Sequence, residues 1–156
     1  MTLKDELDRI QEELQETIVD DMRKNYSDAV IDHAMNPRNV GVMSDADGYG
    51  STLGACGDDM EIWLRVVKDR IVETKFWTNG CATTIASGSA VSELAKGRDL
   101  SGAGAIGQQE VLDALGGLPV DNEHCALLAA NALKEAILDC LKNRREPWKK
   151  IYRNRG

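Results

Sequence analysis

Four cysteines, at positions 56, 81, 125 and 140, are the residues of this 156-residue chain most suited to metal or sulfur chemistry. A thiolate is a soft ligand for zinc and iron–sulfide and a good sulfur nucleophile, so the question is which of the four can meet. Cys56, Cys81 and Cys125 each adjoin a chain reversal: Gly54-Ala55-Cys56-Gly57-Asp58, Asn79-Gly80-Cys81, and the loop ending at His124-Cys125. Cys81 and Cys125 also open stretches that read as helices, where the dipole and the free first-turn amides favour thiolate over thiol. Cys140 lies in the same helical stretch as Cys125, roughly 22 Å further along at about 1.5 Å per residue, and cannot share a metal with it. Its place between Ile137 and Leu141 fits a small apolar core residue.

Asp58 stands two residues after Cys56 in a glycine-containing turn, so its carboxylate can approach whatever Cys56 binds; His124 adjoins Cys125. Three thiolates with a carboxylate or an imidazole suit a tetrahedral zinc site or one face of an iron–sulfur cluster, and the residues alone leave both open. The other histidine, His33, falls on a short helical stretch and reads as a packing or surface residue. Gly48-Tyr49-Gly50 with Gly54 is no dinucleotide loop, because no strand precedes it and no helix opens on it.

Composition narrows the setting. A formal net charge of −7 argues against nucleic acid or an anionic membrane as partner. The 42% hydrophobic content suffices for one core in one domain. No stretch approaches the roughly 18 apolar residues of a membrane span, and the N-terminus is acidic rather than signal-like, so the expected location is the cytoplasm. In that reducing compartment metal or sulfur chemistry explains four cysteines better than disulfides.

The elements that must position these groups follow from periodicity. Residues 2–24 place Leu3, Leu7, Ile10, Leu14, Ile18 and Met22 three or four apart among many acids, an amphipathic helix that packs or pairs. Ser27 caps a short helix, Asp28 to Met35, which Asn36-Pro37 ends, and a Gly- and Asp-rich loop follows. Met60, Ile62, Leu64 and Val66 alternate on one strand; Val72, Thr74, Phe76 and Thr78 alternate on its hairpin partner across Lys68-Asp69-Arg70. Asn79-Gly80 breaks that strand before a helix from Ala82 to Lys96, stopped by Gly97. A glycine-broken stretch, Ser101 to Gly107, leads to a short helix from Gln108 to Leu115. The longest helix runs from His124 to Asn143, with Leu127, Ala130, Leu133, Ile137 and Leu141 as its expected buried stripe. Lys142 to Arg155 is basic and carries Trp148 and Tyr152: a solvated tail or a docking surface for an acidic partner.

Together, Asp32-His33 with Asn36-Pro37-Arg38-Asn39-Val40-Gly41, Cys56-Gly57-Asp58 with Met60, Gly80-Cys81 with Ile85-Ala86-Ser87, and Leu118-Pro119 with His124-Cys125 resemble the IscU/NifU N-terminal scaffold family. The resemblance covers about residues 26–143 and leaves an N-terminal helix (1–25) and a basic tail (144–156) outside it. It implies an α+β fold in which a small antiparallel sheet of about three strands has helices packed on one face, plus the extra N-terminal amphipathic helix. It also implies a scaffold rather than an enzyme. Such a scaffold takes iron(II) and sulfur from a cysteine desulfurase of the IscS/NifS type, assembles a [2Fe–2S] cluster, and hands it to apo-proteins. Cys56, Cys81 and Cys125 would be the ligands, with Asp58 or His124 beside them and Cys125 the persulfide acceptor. The alternative is a zinc-dependent sulfurtransferase, but the compact Cys81-to-Cys125 spacing lacks the extra segment of the SufU-type acceptors. The stretch Leu118-Pro119-Val120-Asp121-Asn122 departs from the family's chaperone-docking Leu-Pro-Pro-Val-Lys, which argues against a dedicated heat-shock chaperone. A three-cysteine site at an exposed end, with the amphipathic helix, would also allow pairing into a homo-oligomer.

Overall fold

A computed structural model describes residues 2–54 and 57–145. Cys56 and the tail beyond residue 145 lie outside them. Three antiparallel strands, β1 (Gly48–Leu53), β2 (Asp59–Val67) and β3 (Arg70–Thr78), pair in the order β1-β2-β3. The helices are α1 (Leu3–Arg23), α2 (Asp28–Met35), α3 (Ala82–Ala95), α4 (Leu100–Gly104), α5 (Gln108–Ala114) and α6 (Glu123–Arg145). Among the described residues, none is long and apolar enough to cross a membrane.

One face of the sheet is buried. Met60, Ile62 and Leu64 of β2 and Thr74, Phe76 and Thr78 of β3 turn into the core beneath α3 and α6. The inward face of β3 slips at one point: Ile71 is fully buried and Val72 exposed, the reverse of the strict alternation expected from Val72 to Thr78. A bulge between Arg65 and Val66 pairs Val66 with Ile71 and shifts the phase there.

The strand missing from the sequence reading is β1, where composition suggested only loop. Its glycines are the reason. A Cβ on Gly50 would lie 2.3 Å from the Ala136 amide nitrogen, and one on Gly48 would lie 2.3 Å from the Ala136 carbonyl oxygen. Backbone of β1 therefore rests directly on backbone of α6, a contact only glycine permits. Correspondingly, half of the buried residues of α6 are alanine, Ala126, Ala129, Ala130, Ala132 and Ala136, beside Cys125, Leu128, Leu133, Ile137 and Cys140. Leu127 and Leu141, expected in the buried stripe, are exposed. Large side chains cannot occupy the seam where two backbones meet. Cys140 is buried as expected, facing Gly48.

The small residues of α3 serve the same purpose. Gly88 sits under the Phe76 ring, where a Cβ would come within 2.5 Å of Cδ2. Two buried hydroxyls of α3 are satisfied within the helix: Ser87 donates to the Thr83 carbonyl (2.8 Å) and Ser92 to that of Ser89 (2.7 Å). Gly97, in the left-handed region at φ +89°, ends the helix as expected. Ser27 caps α2 through the Val30 amide and also donates to the Leu115 carbonyl. His33 has the packing role expected of it, with Nδ1 2.7 Å from Ser89 Oγ on α3. The stretch from Ser101 is not wholly irregular, since Asp99 caps the short helix α4. The N-terminal helix α1 forms with a Thr2–Asp5 capping box, but Leu3, Leu7, Ile10, Leu14 and Ile18 are all exposed.

If the β1–α6 seam depends on glycine, Gly50→Ala must push the two backbones apart. It should cost about 3 kcal/mol or more in urea unfolding, whereas Gly104→Ala, which meets no atom within 4 Å, should be neutral or slightly stabilising.

Candidate metal and sulfur site

The site is assembled by four short pieces of chain. The β1–β2 connection closes on itself, with the Gly54 amide donating to the Asp58 carbonyl (2.7 Å) and the Gly57 amide to the Gly54 carbonyl (3.0 Å). These bonds hold Gly54, Gly57 and Asp58 together. The end of β3 is tied to the same corner, since Thr78 Oγ1 donates to the Asp59 carbonyl (2.6 Å) and the Asp59 amide to Asn79 Oδ1 (2.8 Å). Asn79-Gly80 then turns the chain into α3, whose N-cap is Cys81. From the other side, a single 3₁₀ turn over Val120–Asn122 delivers His124 and Cys125 in the first turn of α6. Thr52 Oγ1 anchors that turn by donating to the Leu128 carbonyl (3.2 Å).

Between these pieces stand two hydroxyls that the sequence reading did not single out, those of Thr83 and Thr84, both buried. Thr83 Oγ1 lies 3.2 Å from Cys81 Sγ and 3.5 Å from Cys125 Sγ, and accepts from Asn122 Nδ2 at 3.4 Å. Thr84 Oγ1 donates to Asp58 Oδ2 at 3.0 Å and lies 3.4 Å from Cys125 Sγ and 3.7 Å from Cys81 Sγ. His124 Nε2 is 3.8 Å from Cys125 Sγ. Asp58, Cys81, His124 and Cys125 are thus brought together, and Cys140 is not among them. The available signal for the threonines was position: a hydroxyl two or three residues after a helix-capping cysteine falls within one turn of its sulfur.

The cysteines differ in environment. Cys81 is exposed, whereas Cys125 is buried to 1%. Partial burial pushes the Cys81 thiol up, but the Thr83 hydroxyl and the backbone amides of Thr84 and Thr83 favour the thiolate and hold the group below the ordinary cysteine range. Thiolate is therefore present there at lower pH than in a free cysteine. As arranged, no three Cys, His, Asp or Glu side chains among the described residues could hold a metal ion. The Thr84 hydroxyl bridges Asp58 and the two sulfurs, and Cys56 is outside that set. The donors themselves, two sulfurs, a carboxylate and an imidazole, are chemically suited to iron or zinc.

The description "NifU-like N terminal domain" matches residues 25–146. The chain belongs to that family. It is 51% identical over 116 residues to iron-sulfur cluster assembly scaffold protein IscU 1 of Archaeoglobus fulgidus, covering 73% of this chain and 75% of that protein. It is 43% identical over 126 residues to the IscU scaffold protein of Escherichia coli, covering 78% of this chain and 97% of that one. Among solved structures, the N-terminal NifU-like protein of Brucella abortus superimposes with TM-score 0.59 at 16% identity, over 74% of this chain and 94% of that one. A SUF-system scaffold protein from Fervidobacterium islandicum gives 0.61 at 20% identity, over 72% and 96%. At those identities the two structures show the shared fold alone, the α+β fold expected of the NifU-like family.

In the cargo-free chain Cys81 should react with iodoacetamide about tenfold faster than Cys125, with Cys140 protected until unfolding, as peptide mass mapping would read. Its rate should reach half-maximum at a lower pH than a free cysteine's. Thr83→Val should move that midpoint upward, because a hydroxyl that stabilises the thiolate is lost.

Proposed function

We propose that this chain is a scaffold on which a [2Fe–2S] cluster is built from iron(II) and from sulfur delivered by a cysteine desulfurase, then passed to apo-proteins. The observation that carries the reading is the convergence of Asp58, Cys81, His124 and Cys125 from separate elements onto one end of the fold. The NifU-like family and the names of its relatives point the same way. Cys56, Cys81 and Cys125 are assigned as cluster ligands and Asp58 as the fourth, with His124 held next to Cys125.

The ligand set suits transient binding. Thiolates match iron–sulfide, whereas a carboxylate oxygen is hard and an imidazole nitrogen intermediate, so one position is bound less firmly than by a fourth cysteine. A cargo that must leave benefits from such a point of entry for water and acceptor thiolates. Sulfur arrives as a persulfide: the acceptor thiolate attacks the outer sulfur, forms a new S–S bond, and the desulfurase cysteine leaves as thiolate. Cys125 is the assigned acceptor, and its burial means that the donor must open the first turn of α6 or pass sulfur by way of exposed Cys81.

Anaerobic incubation with a desulfurase, cysteine, iron(II) and a dithiol, which reduces the persulfide sulfur to sulfide as it is oxidised to its disulfide, should give visible absorbance and equal amounts of iron and acid-labile sulfide. Cys56→Ser, Cys81→Ser and Cys125→Ser should each abolish it, while Cys140→Ala keeps it at a core-packing cost of about 1–2 kcal/mol. Retention of zinc with sulfur transfer but no absorbance would instead identify a zinc-dependent sulfurtransferase. Asp58→Ala should yield a cluster whose absorbance decays more slowly in air; decay at the parent's rate would remove Asp58 from the ligand set.

A further inference from the structure

Thr84 is fully buried in the first turn of α3, and the chain makes room for it at a specific place. A Cβ on Gly80 would come within 2.6 Å of Thr84 Cβ and 2.7 Å of its Oγ1. The hydroxyl has one proton, and that proton goes to Asp58 Oδ2 at 3.0 Å, while Cys125 Sγ at 3.4 Å and Cys81 Sγ at 3.7 Å flank the same oxygen. Its neighbour behaves differently: Thr83 accepts from Asn122 and lies against the two sulfurs. Thr84 is therefore the hydroxyl that joins the carboxylate to both cysteines.

A hydrogen bond to a carboxylate has two consequences for a metal that shares it. The oxygen gives up electron density that the metal would otherwise receive, and the bond must be broken or shared when the carboxylate turns to the metal. We infer that Thr84 is a positioning residue that holds Asp58 beside Cys81 and Cys125 and, through its single proton, keeps Asp58 a weak ligand. The inference rests on the assignment of Asp58 as a ligand and deepens it. The strength of the labile bond is set by a side chain that never touches the metal.

The test measures Zn²⁺ affinity of the cargo-free chain by competition with a chromogenic chelator, and the rate of cluster transfer from the reconstituted chain to apo-ferredoxin. The variants are Thr84→Val, Thr84→Ser, Asp58→Ala and the Asp58→Ala/Thr84→Val double variant. Thr84→Val should bind Zn²⁺ about tenfold more tightly, the worth of one hydrogen bond to a charged group at the low end of its range, and should transfer its cluster severalfold more slowly. Thr84→Ser, which keeps the hydroxyl, should return both values to the parent's. The double variant should match Asp58→Ala in both, because without the carboxylate the proton has nothing to weaken. A Thr84→Val effect that persists in the Asp58→Ala background would place its action on the sulfurs and overturn the inference, as would parental behaviour of Thr84→Val. If Asp58→Ala leaves Zn²⁺ affinity and cluster lifetime unchanged, it is the ligand assignment of Asp58 that fails.

Discussion

The structure depends on the direct contact of β1 with α6. With no side chain between them at Gly48 and Gly50, helix and strand approach to backbone distance, and this fixes where the first turn of α6 emerges at the end of the sheet. Cys125 and His124 ride on that turn, while Asp58 rides on the connection that leaves β1 for β2. One seam thus sets the spacing between a buried sulfur on a helix and a carboxylate on a hairpin. The second seam, Gly88 of α3 under Phe76 of β3, does the same for Cys81. Close packing transmits such positions faithfully because a core cannot absorb even one added methyl without shifting.

What meets at that end is a polar cluster whose members restrain one another. Thr83 and Thr84 occupy the space between sulfurs and carboxylate, and their hydroxyls tie Asp58, Cys81 and Cys125 together. Buried hydroxyls tolerate this because each has a partner, and the amide of Asn122 supplies one more donor from the turn before α6. The same arrangement separates Cys81 and Cys125 in character. Cys81 is open to solvent and favours thiolate, whereas Cys125 is enclosed.

Much of this was legible in the residues. The hairpin of β2 and β3, the cap at Ser27, the stop at Gly97 and the core place of Cys140 follow from alternation, capping and helical spacing. Three features did not. The strand β1 carries Gly48, Tyr49 and Gly50, a composition that signals a loop, and it is a strand only because a helix presses on it. The stripe of α6 was misplaced at Leu127 and Leu141 because large apolar residues mark a buried face in most helices, while here the closest seam admits alanine. Thr83 and Thr84 look like ordinary helix residues until the fold brings Cys125 to both hydroxyls and Asp58 to that of Thr84, from 26 to 42 residues away in sequence. Long-range pairing of that kind has no local signature.

Mössbauer spectroscopy of the chain loaded anaerobically with ⁵⁷Fe, cysteine and a desulfurase addresses the central claim most directly, because it counts the kinds of iron present and reads their ligands. A diamagnetic pair of high-spin ferric ions with two distinguishable sites, one bound only by sulfur and one with an oxygen ligand, is the result predicted from Cys56, Cys81, Cys125 and Asp58. Iron present as single ions without bridging sulfide, or no iron uptake by a chain that retains zinc, would contradict it.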